Sequence, residues 1–437
     1  MKRFVVLIWL VTLSVALRAQ PADFVKVKGT QFYLKGKSYY FLGTNLWYGC
    51  MLGQEGEAGD RARLLRELDE LKKLGIDNLR VMGASEGLGY AGQIQPAIQP
   101  EAGVYDQKLL VGLDFLLAEM AKRGMYAVIF LNNYWEWTGG MSQYMSWVTG
   151  ENYPSPQDPK FGYWGLMRTS GRFYTCDRAK PIYRDYIRML VNRVNSVNGR
   201  WYKEDPTIMA WQLANEPRPS PEEENRAQHL ADFAVWVDET AGYIKSLDPN
   251  HLVTTGNEGL KGSLESESCY LESHQSPHID YLTFHLWLLN WSWFDPLKPG
   301  ETWPDAARKA LDYVRQHIAY AEKLGKPITL EEFGIPRDGH AYARTAGVTW
   351  RDRYYKLLFE EMYKSAKAGS PVAGSNFWGW GGEGRAADSE TYTWRKGDPY
   401  TGDPPQEPQG RNSVFNSDKS TLKILRKYAK KMAALGK

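Results

Sequence analysis

Two short stretches of this chain hold residue types that could break a covalent bond unaided. WQLANEP (211–217) is an apolar run that ends in Asn215-Glu216 and is halted by Pro217. TLEEFG (329–334) is a second run, ending in Glu331-Glu332 before Phe333-Gly334. Two carboxyl groups about 5 to 5.5 Å apart are what retaining glycoside hydrolysis requires. One must be protonated, to give its proton to the leaving oxygen. The other must be ionised, to attack the anomeric carbon. Like charges held close raise one pKa, so a single pair supplies both states near neutral pH.

Residues so far apart in the chain need a fold that brings them together. Eight apolar runs have strand length: 39–45, 78–83, 126–133, 208–216, 252–259, 281–287, 328–334 and 375–380. Helical periodicity fills most of the intervals, at 61–75, 107–123, 181–198, 222–247, 304–324, 348–368 and 417–434. In 61–75, Leu64, Leu68, Leu71 and Leu74 make one stripe and Gly75 stops it; in 181–198, Tyr183, Tyr186, Leu190, Val194 and Val197 do the same. Alternating strand and helix predicts an α/β fold with a parallel sheet and right-handed crossovers, and eight units predict a (β/α)8 TIM barrel. FVKVKGTQFYLKGKSYY reads as an N-terminal β-hairpin outside that pattern, and 386–416, rich in Gly, Pro and Asp, as a long C-terminal loop. Polar or aromatic residues sit towards the C-terminal end of nearly every run: Asn45, Arg80, Asn132-Asn133, Asn215-Glu216, Glu258, His285, Glu332 and Trp378. Barrel enzymes build their sites on that face, and the fourth and seventh strands of an eight-strand ring face each other.

Composition narrows the partners. Of 437 residues, 43% are hydrophobic and 24% charged, which excludes a largely disordered chain or a polytopic membrane protein. Residues 1–20 carry Lys2, Arg3, the apolar run 4–17 and small Ala19, and read as a secretory signal, leaving 21–437 as one catalytic domain. The expected protein is secreted, to the periplasm or beyond, and has no membrane association after signal removal. Without those twenty residues 51 basic residues face 51 acidic ones, giving no electrostatic case for nucleic acid. Cys50, Cys176 and Cys269 allow at most one internal disulfide and match no metal motif; no cofactor is implied. Seventeen Trp and 27 Tyr raise the case for surfaces that stack sugar rings.

The order Arg80, Asn215-Glu216-Pro217, His285, Glu332-Phe333-Gly334 and Trp378 resembles glycoside hydrolase family 5, and within it the endo-β-1,4-mannanases. The resemblance covers nearly all of the chain after the signal; its most distinctive stretches are 131–144, 173–218, 283–287 and 330–339. It implies a retaining endo-acting enzyme, a monomer, cleaving β-mannan, with Glu216 as acid/base and Glu332 as nucleophile. Glu331 should point to the opposite side of its strand. Arg80 can pair with Glu332 and hold it ionised, and Asn215 can bond the sugar 2-hydroxyl as positive charge develops. Asn132 and Asn133 are placed with substrate contacts, and His285 near the acid/base or the substrate. Trp378 can floor the cleaved sugar, with Trp380 competing for that role. Arg218 matches an arginine on the leaving-group side in similar mannanases. One departure concerns Trp287, where family members often carry a tyrosine bonded to the nucleophile; an indole N–H donates one bond and accepts none. Trp135, Trp137, Trp291 and Trp293 fall in mouth loops, as sugar platforms or loop packing. The alternatives are a β-1,4-glucanase of the same family, or a non-catalytic carbohydrate-binding barrel.

Overall fold

A computed structural model describes residues 23–56, 58–90 and 92–436. The expected signal, 1–20, lies outside the described residues. Eight strands make the barrel: β1 (Phe41–Asn45), β2 (Asn78–Met82), β3 (Tyr126–Phe130), β4 (Ile208–Gln212), β5 (Leu252–Thr254), β6 (Leu282–Leu286), β7 (Ile328–Phe333) and β8 (Val372–Phe377). All but Tyr126 are buried along their whole length, as strands covered on both faces must be. Parallel ladders run β5-β4-β3-β2-β1-β8-β7-β6. Between β5 and β6 single bonds replace a ladder: Asp280 N–H to the Val253 carbonyl at 2.8 Å, the Thr254 hydroxyl to the Tyr281 carbonyl at 2.8 Å, and His285 N–H to the Glu258 carbonyl at 3.1 Å.

The surrounding helices are α1 (Arg61–Leu74), α2 (Gln107–Lys122), α3 (Ala179–Val191), α4 (Arg226–Leu247), α5 (Glu267–Gln275), α6 (Pro299–Leu324), α7 (Thr349–Lys367) and α8 (Lys419–Leu435). In α1 the four leucines are buried, Asp60 caps the Arg63 N–H at 2.9 Å, and Gly75 ends the helix at φ 86°. α3 is shorter than its apolar stripe suggests. It stops at Val191, and Val194 and Val197 are exposed. The reason is Asn195, whose side-chain oxygen accepts from the Val197 and Asn198 N–H groups and turns the chain. Buried Asp114 of α2 then anchors the loop through Arg193, Ser196 and Tyr202. No periodic stripe announces α5, whose sequence ESCYLESHQ is largely polar.

The N-terminal segment differs from a hairpin by one strand. Lys26–Lys28, Gln31–Leu34 and Lys37–Ser38 form a three-stranded antiparallel meander, because Gly36 at φ 77° supplies a second turn. Phe32 packs against Phe41 and Tyr281, and a separate cluster with Met209, Leu252 and Ala373 plugs the N-terminal end of the barrel. Substrate therefore has only the opposite mouth. Cys50, Cys176 and Cys269 are free thiols.

One buried acid holds a mouth loop in place. Glu86, just past β2, accepts from the Gly140 N–H at 2.9 Å. Burial pushes its carboxyl up to about 8, against the pull of Gly140 and the Tyr144 hydroxyl. The folded form thus prefers the proton that an unfolded glutamate loses near 4.5. This stabilisation is complete below about pH 4.5 and is lost as pH rises towards 8, at about 1.4 kcal/mol per unit in that window. Glu86→Gln keeps the neutral shape, so its melting temperature should fall less than wild type between pH 5 and pH 8. Equal falls in both proteins contradict this.

Candidate active site

The paired carboxylates are set by two local irregularities at the mouth. Beyond β4 the chain stays extended to Asn215, which bridges to Asn133, and then turns at Glu216 with φ 50°. That left-handed backbone is uncommon for a residue with a Cβ, and it falls where the sequence places Pro217. In β7 the register against β6 shifts: Leu330 pairs with Phe284, but Glu332 pairs with His285. This bulge defeats the expected alternation. Both glutamates reach Arg80, with Glu331 Oε2 3.8 Å from its Nε and Glu332 bonded directly to its Nη1. Glu331 remains below the mouth, bonded by Gln212 at 2.5 Å.

Arg80, wholly buried, organises the floor. It donates to Gln212 at 2.8 Å, to Asn45 at 3.0 Å and to Asn215 at 2.7 Å besides Glu332. The forked guanidinium serves all four partners, which an ammonium group could not. His285 Nδ1 lies 2.6 Å from Glu216 Oε1 and 3.4 Å from Glu332 Oε2. Trp135 donates its indole N–H to Glu216 Oε2 at 2.5 Å. Ligand atoms of Glu216, His285 and Glu332 all lie within 4.8 Å of one another, so the two carboxylates meet at one point of the mouth. The same trio is the candidate metal cluster among the described residues. Its oxygens already accept from Arg80, His285 and Trp135, and a dication would have to displace the guanidinium.

One proton is shared in this cluster. Burial opposes ionisation of Glu216, but the bond and charge of His285, with Arg218 and Trp135, outweigh it and hold the carboxyl at about 2. Burial drives Glu332 well above the usual range; Arg80 pulls it down and the charge on Glu216 pushes it further up. Burial and the neighbouring charge thus favour the proton on Glu332, and the bond from His285 favours an ionised Glu216. His285 touches both carboxylates, and burial lowers its own pKa to about 4 against the pull of Glu216.

These groups open into a cavity of about 530 Å³. Asn215, Arg218, Trp287 and Trp378 line it with the two glutamates. Trp287 meets Trp378 edge to face at 6.2 Å, and Glu332 is bonded by Arg80 with His285 Nδ1 3.4 Å away. Arg218 pairs with Glu258 and lies 4.8 Å over the Trp135 ring.

Three expected contacts are elsewhere. Trp380 is fully buried, its N–H bonded to Glu67 of α1 at 2.6 Å. The chain leaves β8 after Phe377, and Trp380–Gly382 is a separate short strand paired with Val414–Phe415, so alternation from Trp378 does not carry across. Asn132 and Asn133 are wholly buried and do not line the cavity. Asn132 accepts from the Asn133 N–H, and Asn133 holds the side chain of Asn215 and the backbone of Trp135, each at 3.0 Å. They position the residues that face the cavity.

Other lining residues carried no pattern in the sequence. Glu136 and Tyr163 come from the long β3–α3 connection, with the Tyr163 hydroxyl 3.0 Å from Glu136. Glu407 and Arg411 come from the loop after β8. Burial pushes Glu407 up to about 7 against the pull of Arg411. That loop is pinned by Asp403, which accepts from the Gly410 N–H at 2.8 Å and the Asn412 N–H at 2.7 Å. Trp135 and Trp291 line the cavity with their N–H groups on Glu216 and Glu258, while Trp293 packs behind on Trp291 and Tyr313. Trp137 is buried at the cavity wall.

A parallel (β/α)8 ring with two buried glutamates meeting at its mouth defines a glycoside hydrolase. The family model described as GH family 5 beta-mannosidase-like matches residues 22–437, and the chain belongs to that family. Mannan endo-1,4-beta-mannosidase 7 of Arabidopsis thaliana is 30% identical over 374 residues, covering 81% of this chain and 77% of that one. Mannan endo-1,4-beta-mannosidase 4 of Solanum lycopersicum is 29% identical, covering 85% and 86%. The glycoside hydrolase family 5 mannosidase from Rhizomucor miehei superimposes with a TM-score of 0.87 at 35% identity, over 96% of this chain and 99% of that one. The endo-beta-1,4-mannanase from Thermotoga petrophila gives 0.67 at 26% identity, over 90% and 77%.

Proposed function

We propose that this protein hydrolyses internal β-1,4-mannosidic bonds of mannan, glucomannan or galactomannan, with retention, as a secreted monomer. The observation that carries this reading is the Glu216–Glu332 pair, which meets at His285 with an oxygen of each within 4.8 Å of the other, close enough for a nucleophile and an acid to act on one bond. Turnover requires one proton to pass from Glu332 to Glu216, which leaves Glu332 ionised beside Arg80. Glu332 attacks the anomeric carbon as Glu216 passes its proton to the departing oxygen. The sugar is then esterified to Glu332. Glu216, now a carboxylate, takes a proton from water, which attacks the same carbon and frees Glu332. Trp378 and Trp287 bracket the ring, and Asn215, aligned by Asn133 and Arg80, faces its 2-hydroxyl.

A second reading is release of single mannose units from chain ends. Its support is the end-to-end likeness to the Rhizomucor miehei mannosidase and the Glu407–Arg411 segment that stands in the cavity. Early products from mannopentaose separate the two. Internal cleavage gives mannobiose and mannotriose from the first minutes, and end-wise cleavage gives mannose and mannotetraose. Faster hydrolysis of a soluble cellulose than of mannan overturns both.

A further inference from the structure

The β3–α3 connection carries two helices, Gly140–Thr149 and Gly162–Gly171. On the second, Tyr163 and Met167, one turn apart, face the cavity. Trp164 and Arg168 form the neighbouring stripe, rotated by about 100°. That stripe points at the segment after β4, where Arg168 Nε meets Glu222 Oε1 at 2.8 Å. Trp164 is 55% exposed; among the tryptophans of the described residues only Trp201 is also exposed. Trp164 does not itself line the cavity; its indole is left in water one helix position from Tyr163, which does.

A chain of neighbours leads from the acid/base towards this indole. Trp135 holds Glu216, the Tyr163 ring meets Trp135 edge-on at 6.1 Å, and Trp164 follows Tyr163. Arg218 lies over the same Trp135 ring. A leaving group departs on the flank of the residue that protonates it, so the leaving part of a long chain passes over this strip.

We propose that Trp164, flanked by the Arg168–Glu222 pair, is a distal subsite that stacks a pyranose ring on the leaving side of a polymeric β-mannan, outside the cavity. The proposal rests on the mannoside-hydrolase reading and holds for internal and end-wise cleavage alike. The C–H face of the ring lies on the indole, and its hydroxyls meet the free N–H groups of Arg168 and the Glu222 carboxylate. The subsite serves polymers, because short substrates end before reaching it.

Trp164→Ala is expected to raise KM for soluble galactomannan by about three- to tenfold, the scale of one aromatic contact. Its kcat on the polymer, and both constants for p-nitrophenyl β-mannoside and mannobiose, stay at wild-type values. Trp164→Tyr recovers part of the loss, and Trp201→Ala, on the α3–β4 loop at the far end of the barrel, changes nothing. An unchanged polymer KM in Trp164→Ala overturns the proposal, as does an equal rise for all three substrates. A wild-type chain that cleaves no mannoside removes the functional reading itself, which is seen before any variant is made.

Discussion

Glu332→Ala is expected to fold normally and to lose turnover by on the order of ~10³-fold or more on every mannoside. On the proposed mechanism the substitution removes the attacking atom, so no covalent intermediate forms and leaving-group quality is immaterial. Folding should survive because Glu331, 3.8 Å from the Arg80 guanidinium, still balances its charge. Arg80 keeps Gln212, Asn45 and Asn215 as partners. Azide supplies the missing nucleophile. It enters from the vacated face while Glu216 still protonates the leaving oxygen, so a β-mannoside yields α-mannosyl azide. Activity that persists without azide, or azide product of β configuration, contradicts the assignment.

Glu216→Ala is expected to behave in the opposite way towards leaving groups. On mannan, whose leaving alkoxide needs a proton, kcat should fall by roughly 10²–10⁴-fold, the range of a general acid. On a dinitrophenyl mannoside the first step needs no proton. The enzyme should release one equivalent of phenol in a burst and then stall, because no base activates water. Azide needs no base, so it attacks the esterified sugar and gives β-mannosyl azide. The configurations of the two azides thus report which glutamate was removed. A uniform loss across leaving groups in Glu216→Ala is the result that contradicts its role.

How much of this site could be read from the sequence depended on where each residue sits relative to a regular strand. Asn215, Glu216, His285, Glu332 and Trp378 fall towards the C-terminal ends of apolar runs, with Arg80 midway along its own, and a parallel barrel turns such ends to one mouth. Their grouping therefore followed from period and length alone. Alternation failed wherever the backbone stopped being regular. The bulge at Glu331 turned two neighbouring carboxylates towards one arginine. The break after Phe377 sent Trp380 behind the sheet. A side-chain bond from Asn195 ended α3 before its apolar stripe was spent. Asn132 and Asn133 show the converse: polar residues at a strand end can be consumed in holding their neighbours. The remaining wall was not legible, because Tyr163, Glu407 and Arg411 ride on long connections whose course is set by tertiary bonds such as those to Asp403.

The most direct measurement is covalent trapping with 2-deoxy-2-fluoro-β-mannosyl fluoride. Fluorine at C2 destabilises the positive charge in both steps, and the fluoride leaving group restores only the first. The wild-type protein should gain the mass of one fluoromannosyl unit, and peptide mapping should place it on Glu332. A label on Glu216, on Glu331 or on any other residue, or reagent consumed to give a product of inverted configuration with no label, would contradict the account.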